Sequence, residues 1–480
     1  MIPLTLAEIA AAVDGAVHDG PAELTVTGPA FLDSRVVEPG GLFVAFIGER
    51  ADGHDHAAAA VASGAAAVLA GRPVGVPAVV VPDPGEALAR LARHLLDRLP
   101  DVRVVAVTGS QGKTSTKDLL AAVLADSAAT VATRGSFNNE LGLPLTVLRA
   151  DETTRFLLLE MGARGAGHLR ALCQVAPPDV SLVLNVGKAH LGEFGSQAAI
   201  AEAKGEIVEA LGAEGVAVLN ADDPLVSAMA RRTSGRVVSF GTGEAADVRL
   251  AEVELDDRGR PRCLLVADGR SVPLAMRLVG EHQAVNAAAA AATALAVGIP
   301  LADACRSLAQ VESLSRWRME VRTRPDGVTV VNDAYNANPD STAAALRALA
   351  AMARRANAAG GRTIAVVGEM RELGESSDAE HAEVGRLAVH LGIQHVVAVG
   401  EAARAVHLGA RAERGRPGAD PDHQGEEPVF VADSDAAIAW LAAHVRPGDA
   451  VLVKASRGAS LDVVADALLS SSTDESGATS

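Results

Sequence analysis

The run Thr108-Gly109-Ser110-Gln111-Gly112-Lys113-Thr114-Ser115 has the residue types and spacing to hold a phosphate chain. Before it comes the β-branched stretch Arg103–Val107, and after it the helix-periodic Leu119, Leu120, Val123 and Leu124, so the pattern is strand, glycine turn, helix. Glycines let backbone N–H groups turn inward around phosphate oxygens. The helix N-terminus adds partial positive charge, and Lys113 adds a full one. Thr114 is then placed to hold Mg²⁺. The spacing is shorter than the usual G-x-x-x-x-G-K-[ST], since Val107 stands where the first glycine belongs.

Such a loop needs a parallel sheet behind it, and from about Asp101 the chain alternates strands and helices as βαβ units do. Strand Phe156–Leu159 ends at Glu160, and strand Val180–Leu184 ends at Asn185 to His190. Polar groups at the carboxyl ends of parallel strands sit where open α/β sheets bind ligands, so Glu160 and His190 are candidates to complete a metal site with Thr114. A helix expected over Ala199–Leu211 carries Lys204, to which periodicity gives no role beyond a solvated face. Asn286, near the start of a long alanine-rich helix, is expected to act as a cap. The strands between Val248 and Leu278 are shorter and more alternating, which predicts an antiparallel addition to the sheet.

The elements fall into three α/β units and a tail. Residues 1–100 form a small unit with a strand over Gly41–Ile47 and an alanine-rich helix from His56. Residues 101–312 form the phosphate-loop unit. Residues 313–470 form a second doubly wound sheet, whose strand ends carry Asn332 to Pro339, Gly368-Glu369-Met370 and Lys454-Ala455-Ser456-Arg457. Residues 471–480 read as disordered.

Composition narrows the partners. A chain of 480 residues with 49% hydrophobic residues fills several cores. A formal charge of −17 argues against nucleic-acid or membrane-surface binding, which need a basic face, and 2% aromatic residues leave no base-stacking platform. Cys173, Cys263 and Cys305 have no C-x-x-C spacing and read as reduced, buried thiols of a cytoplasmic protein without zinc. The N-terminus lacks a basic start, and the apolar run Ala287–Pro300 is too short to span a bilayer.

Taken together, these motifs resemble the ATP-dependent Mur ligases of peptidoglycan synthesis. The likeness covers nearly the whole chain: Asp33-Ser34-Arg35 with Asp52-Gly53-His54, the short phosphate loop, Asn138-Asn139-Glu140-Leu141-Gly142, Glu160, Asn185 to His190, Ala203 to Ile207, Gly280 to Asn286, Arg318-Met319-Glu320 and Asn332 to Pro339. Within the family, Tyr335 to Pro339, Gly368 to Gly374 and Val453 to Arg457 are most similar to the branch that joins D-alanyl-D-alanine to UDP-N-acetylmuramoyl-tripeptide. The Asp-Asn-Pro-Arg tetrapeptide of the branch that adds the third residue is absent.

The resemblance implies a first domain for the uridine nucleotide, a central ATPase and a Rossmann-like third domain that closes on ATP and the amine. It implies an acyl phosphate mechanism releasing ADP and phosphate, in a cytoplasmic monomer. By residue, it gives Gly109 to Ser115 and Asn336 to nucleotide binding, with Lys113 on the phosphates. Thr114, Glu160, His190 and a CO₂-carbamylated Lys204 become magnesium ligands, and Asn286 becomes an adenine contact. Arg318 and Asp333 become γ-phosphate and ribose contacts, and Ser34, Arg35, Asn138 and Asn139 substrate contacts. His282-Gln283 stands where the family usually has His-Asn. The rival readings are a folylpolyglutamate synthase-like ligase, which lacks the Tyr335 to Pro339 pattern, and a nucleotide switch, for which no Asn-Lys-x-Asp guanine motif is present.

Overall fold

The computed structural model describes residues 1–48, 51–187, 191–358, 360–416 and 425–470. The expected tail at 471–480 and His190 lie outside the described residues. Three larger sheets organise the chain. The first has five strands in the order Ala16–His18, Ala78–Val80, Ala67–Ala70, Leu42–Val44 and Ala30–Phe31, parallel except for the first pair. The strand expected over Gly41–Ile47 is thus three residues long, and the helix after it, Ala57–Ala62, is entered through a 3₁₀ turn at Gly53–His56.

The second sheet has nine strands. Thr130–Ala132, Phe156–Glu160, Arg103–Thr108, Val180–Val183, Val216–Asn220, Arg236–Gly241 and Val248–Leu255 run parallel. Pro261–Ala267 and Arg270–Ala275 then add in antiparallel fashion, as the alternating pattern predicts. The parallel strands are apolar on both sides because both faces are covered. Val104, Ala106, Leu157 and Leu159 join a core that is continuous with the first unit, whereas Val105, Val107 and Leu158 face helices Lys113–Ser127 and His282–Ala296. Helix His282–Ala296 is mostly buried alanine, so it lies close against the sheet, and a chain this poor in aromatics fills its interior by close approach.

The third sheet runs Glu320–Thr323, Thr329–Asp333, Ala450–Lys454, Thr363–Val367, His395–Val399 and Val429–Val431, parallel after the first antiparallel pair. Helices Pro339–Ala358 and Arg404–Arg414 cover it beside the ones expected from periodicity. The carboxyl ends of its strands at Asp333 and Lys454 turn toward the phosphate-loop unit, which brings the two sets of strand ends together.

Candidate functional site

Between the units lies a cavity of about 550 Å³ whose walls include the phosphate loop, Glu160, Lys204, Arg318 and Tyr335. Its floor is the turn after strand Arg103–Thr108. Gly112 has φ +78°, and a Cβ there would lie 2.8 Å from Asn286 Oδ1, so conformation and space both require glycine. The helix begins at Lys113 and presents its first-turn amides to the cavity. The Ser110 and Gln111 amides are engaged differently: both donate to Asn185 Oδ1 at 3.0 Å. Asn185 is thus the brace that shapes this shortened loop, and the amides of Gly112 to Ser115, ahead of the first helical bond from Thr116 to the Gly112 carbonyl, remain for phosphate.

Lys113 donates from Nζ to the Gly109 carbonyl at 2.7 Å. Burial pushes its ammonium below the usual lysine range, and Glu160 opposes that shift. Glu160 is 1% exposed; its Oε1 accepts from Asn138 Nδ2 at 2.8 Å, while Oε2 is buried with no hydrogen-bond partner. An orphaned carboxylate oxygen that shares the cavity with the Thr114 hydroxyl is the kind of donor a magnesium ion takes, with water and phosphate oxygens filling its other positions. Among the described residues no cluster of three His, Cys, Asp or Glu side chains stands ready for a metal, so an ion here relies on those additional oxygens.

Lys204 departs from its expected solvated face. It sits in helix Gln197–Glu209 with 3% exposure, lines the cavity and makes no hydrogen bond to a described residue. Burial, and after it the nearby Lys113, push its ammonium well below the usual lysine range. Asn286 also departs from expectation. It lies a turn inside helix His282–Ala296 rather than capping it, and its Nδ2 donates to Gln283 Oε1 at 3.0 Å. The glutamine at the position of the usual asparagine is therefore what orients Asn286.

The third unit reaches in through Arg318, whose Nη2 donates to Thr114 Oγ1 at 3.3 Å and whose guanidinium lies 4.1 Å from the Tyr335 ring centre. The Tyr335 hydroxyl is hydrogen-bonded to Ser136 of the central unit. Asn138, Asn139 and Asn336 line the cavity. Asp333 does not; its Oδ2 accepts from Lys454 Nζ at 2.6 Å and its Oδ1 from the Met319 amide at 3.0 Å. His282 lies close by. Burial pushes its imidazole down to about 4 against the pull of Asp333.

Ser34 and Arg35 are not among the cavity's lining residues, although Leu32 is; Arg35 is exposed and paired with Asp33 at 2.8 Å. Glu372, Arg164 and His168 also line the cavity. Glu372 stands in the Gly368 to Gly374 run with φ +66°, a strained backbone that only a structure reveals. No motif marks Arg164 or His168.

Sequence-family profiles match the chain in three segments: the catalytic domain of the Mur ligase family at 31–95, the Mur ligase middle domain at 107–294 and the Mur ligase glutamate ligase domain at 317–457. The chain is 49% identical to the UDP-N-acetylmuramoyl-tripeptide–D-alanyl-D-alanine ligase of Mycobacterium tuberculosis, covering 98% of this chain and 99% of that one. It is 34% identical to the enzyme of the same name from Escherichia coli at the same coverage. Among solved structures, MurF from Acinetobacter baumannii superimposes with a TM-score of 0.83 at 30% identity, over 97% of this chain and 99% of that one. MurF from Thermotoga maritima in complex with ADP does so with 0.77 at 30% identity, over 94% and 99%.

Proposed function

The chain belongs to the Mur ligase family, and from that premise we infer how its cavity works. The protein is an ATP-dependent ligase that joins D-alanyl-D-alanine to UDP-N-acetylmuramoyl-tripeptide through an acyl phosphate, giving the pentapeptide precursor of peptidoglycan with ADP and phosphate. The observation that best supports these residues as its machinery is their convergence. Lys113, Glu160 and Thr114 of the central unit meet Arg318 of the third unit in one cavity.

The tripeptide carboxylate must approach the γ-phosphate of ATP, anion against anion. Lys113 and Arg318 bring two cations to that meeting point, and the helix amides after Gly112 bring aligned dipoles. Thr114 and Glu160 would hold the magnesium ion, which when bound neutralises phosphate charge as a Lewis acid. Closure of the two units whose residues line the cavity would exclude water, which would otherwise hydrolyse the acyl phosphate before the dipeptide amine reaches it. Glu372 contributes a carboxylate that suits the incoming ammonium.

Lys204 is proposed as the carbamylated magnesium ligand. Its burial and its depressed pKa supply the neutral amine that reaction with CO₂ needs, and the adduct would turn a repelled ammonium into an anionic oxygen ligand. Ser34 and Arg35 with the first unit are proposed to serve the uridine end, and Asn286 the adenine. Residues 1–100, 101–312 and 313–470 are proposed as the three domains, each range holding one of the large sheets. A cytoplasmic monomer fits the three buried free cysteines and a cavity completed within one chain. No helix among the described residues is long and apolar enough to cross a membrane.

The test is mass spectrometry of products with ATP, the UDP-linked tripeptide and D-alanyl-D-alanine. Pentapeptide, ADP and phosphate are expected only when all three are present. AMP with pyrophosphate, or phosphate release indifferent to the peptide and the amine, would overturn the reading.

A further inference from the structure

Arg318 is carried on an unusual turn. The residues on either side of it, Trp317 and Met319, have φ +60° and +50°, a left-handed backbone that non-glycine residues adopt at a cost. Two hydrogen bonds from the strand end at Asp333 hold this turn. The Met319 amide donates to Asp333 Oδ1 at 3.0 Å, and the Tyr335 amide donates to the Trp317 carbonyl at 3.3 Å. Asp333 is itself held from the next strand. Lys454, 2% exposed, donates from Nζ to Asp333 Oδ2 at 2.6 Å and to the Asn336 carbonyl at 2.7 Å, so one ammonium fixes both the carboxylate and the loop that carries Tyr335. The Tyr335 ring in turn supports the Arg318 guanidinium face at 4.1 Å.

We propose that Lys454 is a positioning residue for the ligase reaction. Through Asp333 and the Asn336 carbonyl it locks the strained Trp317–Met319 turn and the Tyr335 platform, and thereby aims Arg318 across the cavity at Thr114. The inference rests on the ligase reading and adds to it. A buried lysine with neither contact to the cavity nor a role in chemistry decides where the third unit's cation points. Arg318 Nε is buried without a partner, so nothing on the guanidinium's own stem fixes its aim, and the turn beneath it must do so.

The experiment is a double-mutant cycle on the full chain with Lys454→Met, Arg318→Ala and the pair. It reads kcat for pentapeptide formation and the affinity ratio of a non-hydrolysable ATP analogue to ADP. Lys454→Met should lower kcat by about a hundredfold, the size of losing one aimed donor. It should also lower the analogue-to-ADP ratio. The double variant should be no slower than Arg318→Ala within about threefold, because residues that act as a unit are not additive. Losses that multiply, or a Lys454→Met variant with unchanged kcat, would overturn the inference, since a merely structural lysine adds its effect independently of Arg318. If Lys454→Met does not fold, Asp333→Asn keeps an oxygen for the Met319 amide, weakens the hold of Lys454, and runs the same cycle with the same expected and overturning results. Wild-type protein that forms no pentapeptide overturns the ligase reading instead, and the nucleotide ratio still tests the positioning of Arg318 by itself.

Discussion

Replacing Lys204 by Met should make the protein more stable and nearly inactive. The side chain is 3% exposed and has no hydrogen-bond partner among the described residues, so its amine is buried at a cost that a thioether of similar length avoids. Burial penalises the charged form of that amine, as its depressed pKa shows, and this sets the sign of the expected gain near neutral pH. The sign with pH follows from the depressed pKa. In the folded chain Lys204 gives up its proton below the ordinary value of about 10.4, so between the two values the unfolded chain binds more protons, and wild-type stability rises with pH across that window. The Met variant lacks this contribution. Its advantage should therefore shrink as pH rises through the window, by at most about 1.4 kcal/mol per unit. The measurement is urea unfolding followed by circular dichroism at several pH values in CO₂-free, magnesium-free buffer. Tryptophan fluorescence would watch the wrong region, because Trp317 and Trp440 are the chain's two tryptophans and both belong to the third unit. Turnover in complete buffer should fall at least about a hundredfold. A Met variant that melts below wild type, with parallel pH curves and retained turnover, would refute the reasoning.

Lys113→Ala should lower kcat by more than about a thousandfold while the unfolding midpoint stays close to that of wild type, because the ammonium acts on the transition state; turnover within about tenfold, or about 1.4 kcal/mol, would remove it from the chemistry. Gly112→Ala puts a Cβ on a backbone at φ +78° and 2.8 Å from Asn286 Oδ1. It should cost about 1–3 kcal/mol of stability, checked by thermal unfolding, and weaken ADP affinity about tenfold or more by calorimetry.

The chain shows in its sequence what local chemistry dictates and hides what only the packed units create. The strands of the central sheet were legible because burial on both faces makes them unbroken apolar runs, and the phosphate loop was legible because glycine, lysine and threonine must follow one another to build it. Asn286 departs from a cap because helix-start statistics describe an isolated helix, whereas here the helix begins four residues earlier and points the side chain at Gly112. Lys204 departs from a solvated face because periodicity takes no account of the units packed around the helix. Its neighbours Glu202 and Glu206 suggest a wet face, yet Glu206 turns away to accept from the Gly167 and Arg170 amides, and Lys204 is left facing the cavity. The resemblance assigned Asp333 to the ribose, and in the structure both its oxygens are engaged by Met319 and Lys454, residues 14 and 121 positions away. A contact of that sequence separation leaves no periodic trace. Two strands must first pair in register, with Asp333 beside Lys454, before the carboxylate and the ammonium can meet. The catalytic groups are thus readable as a motif, whereas the groups that aim them become visible only when the sheet has brought distant strand ends together.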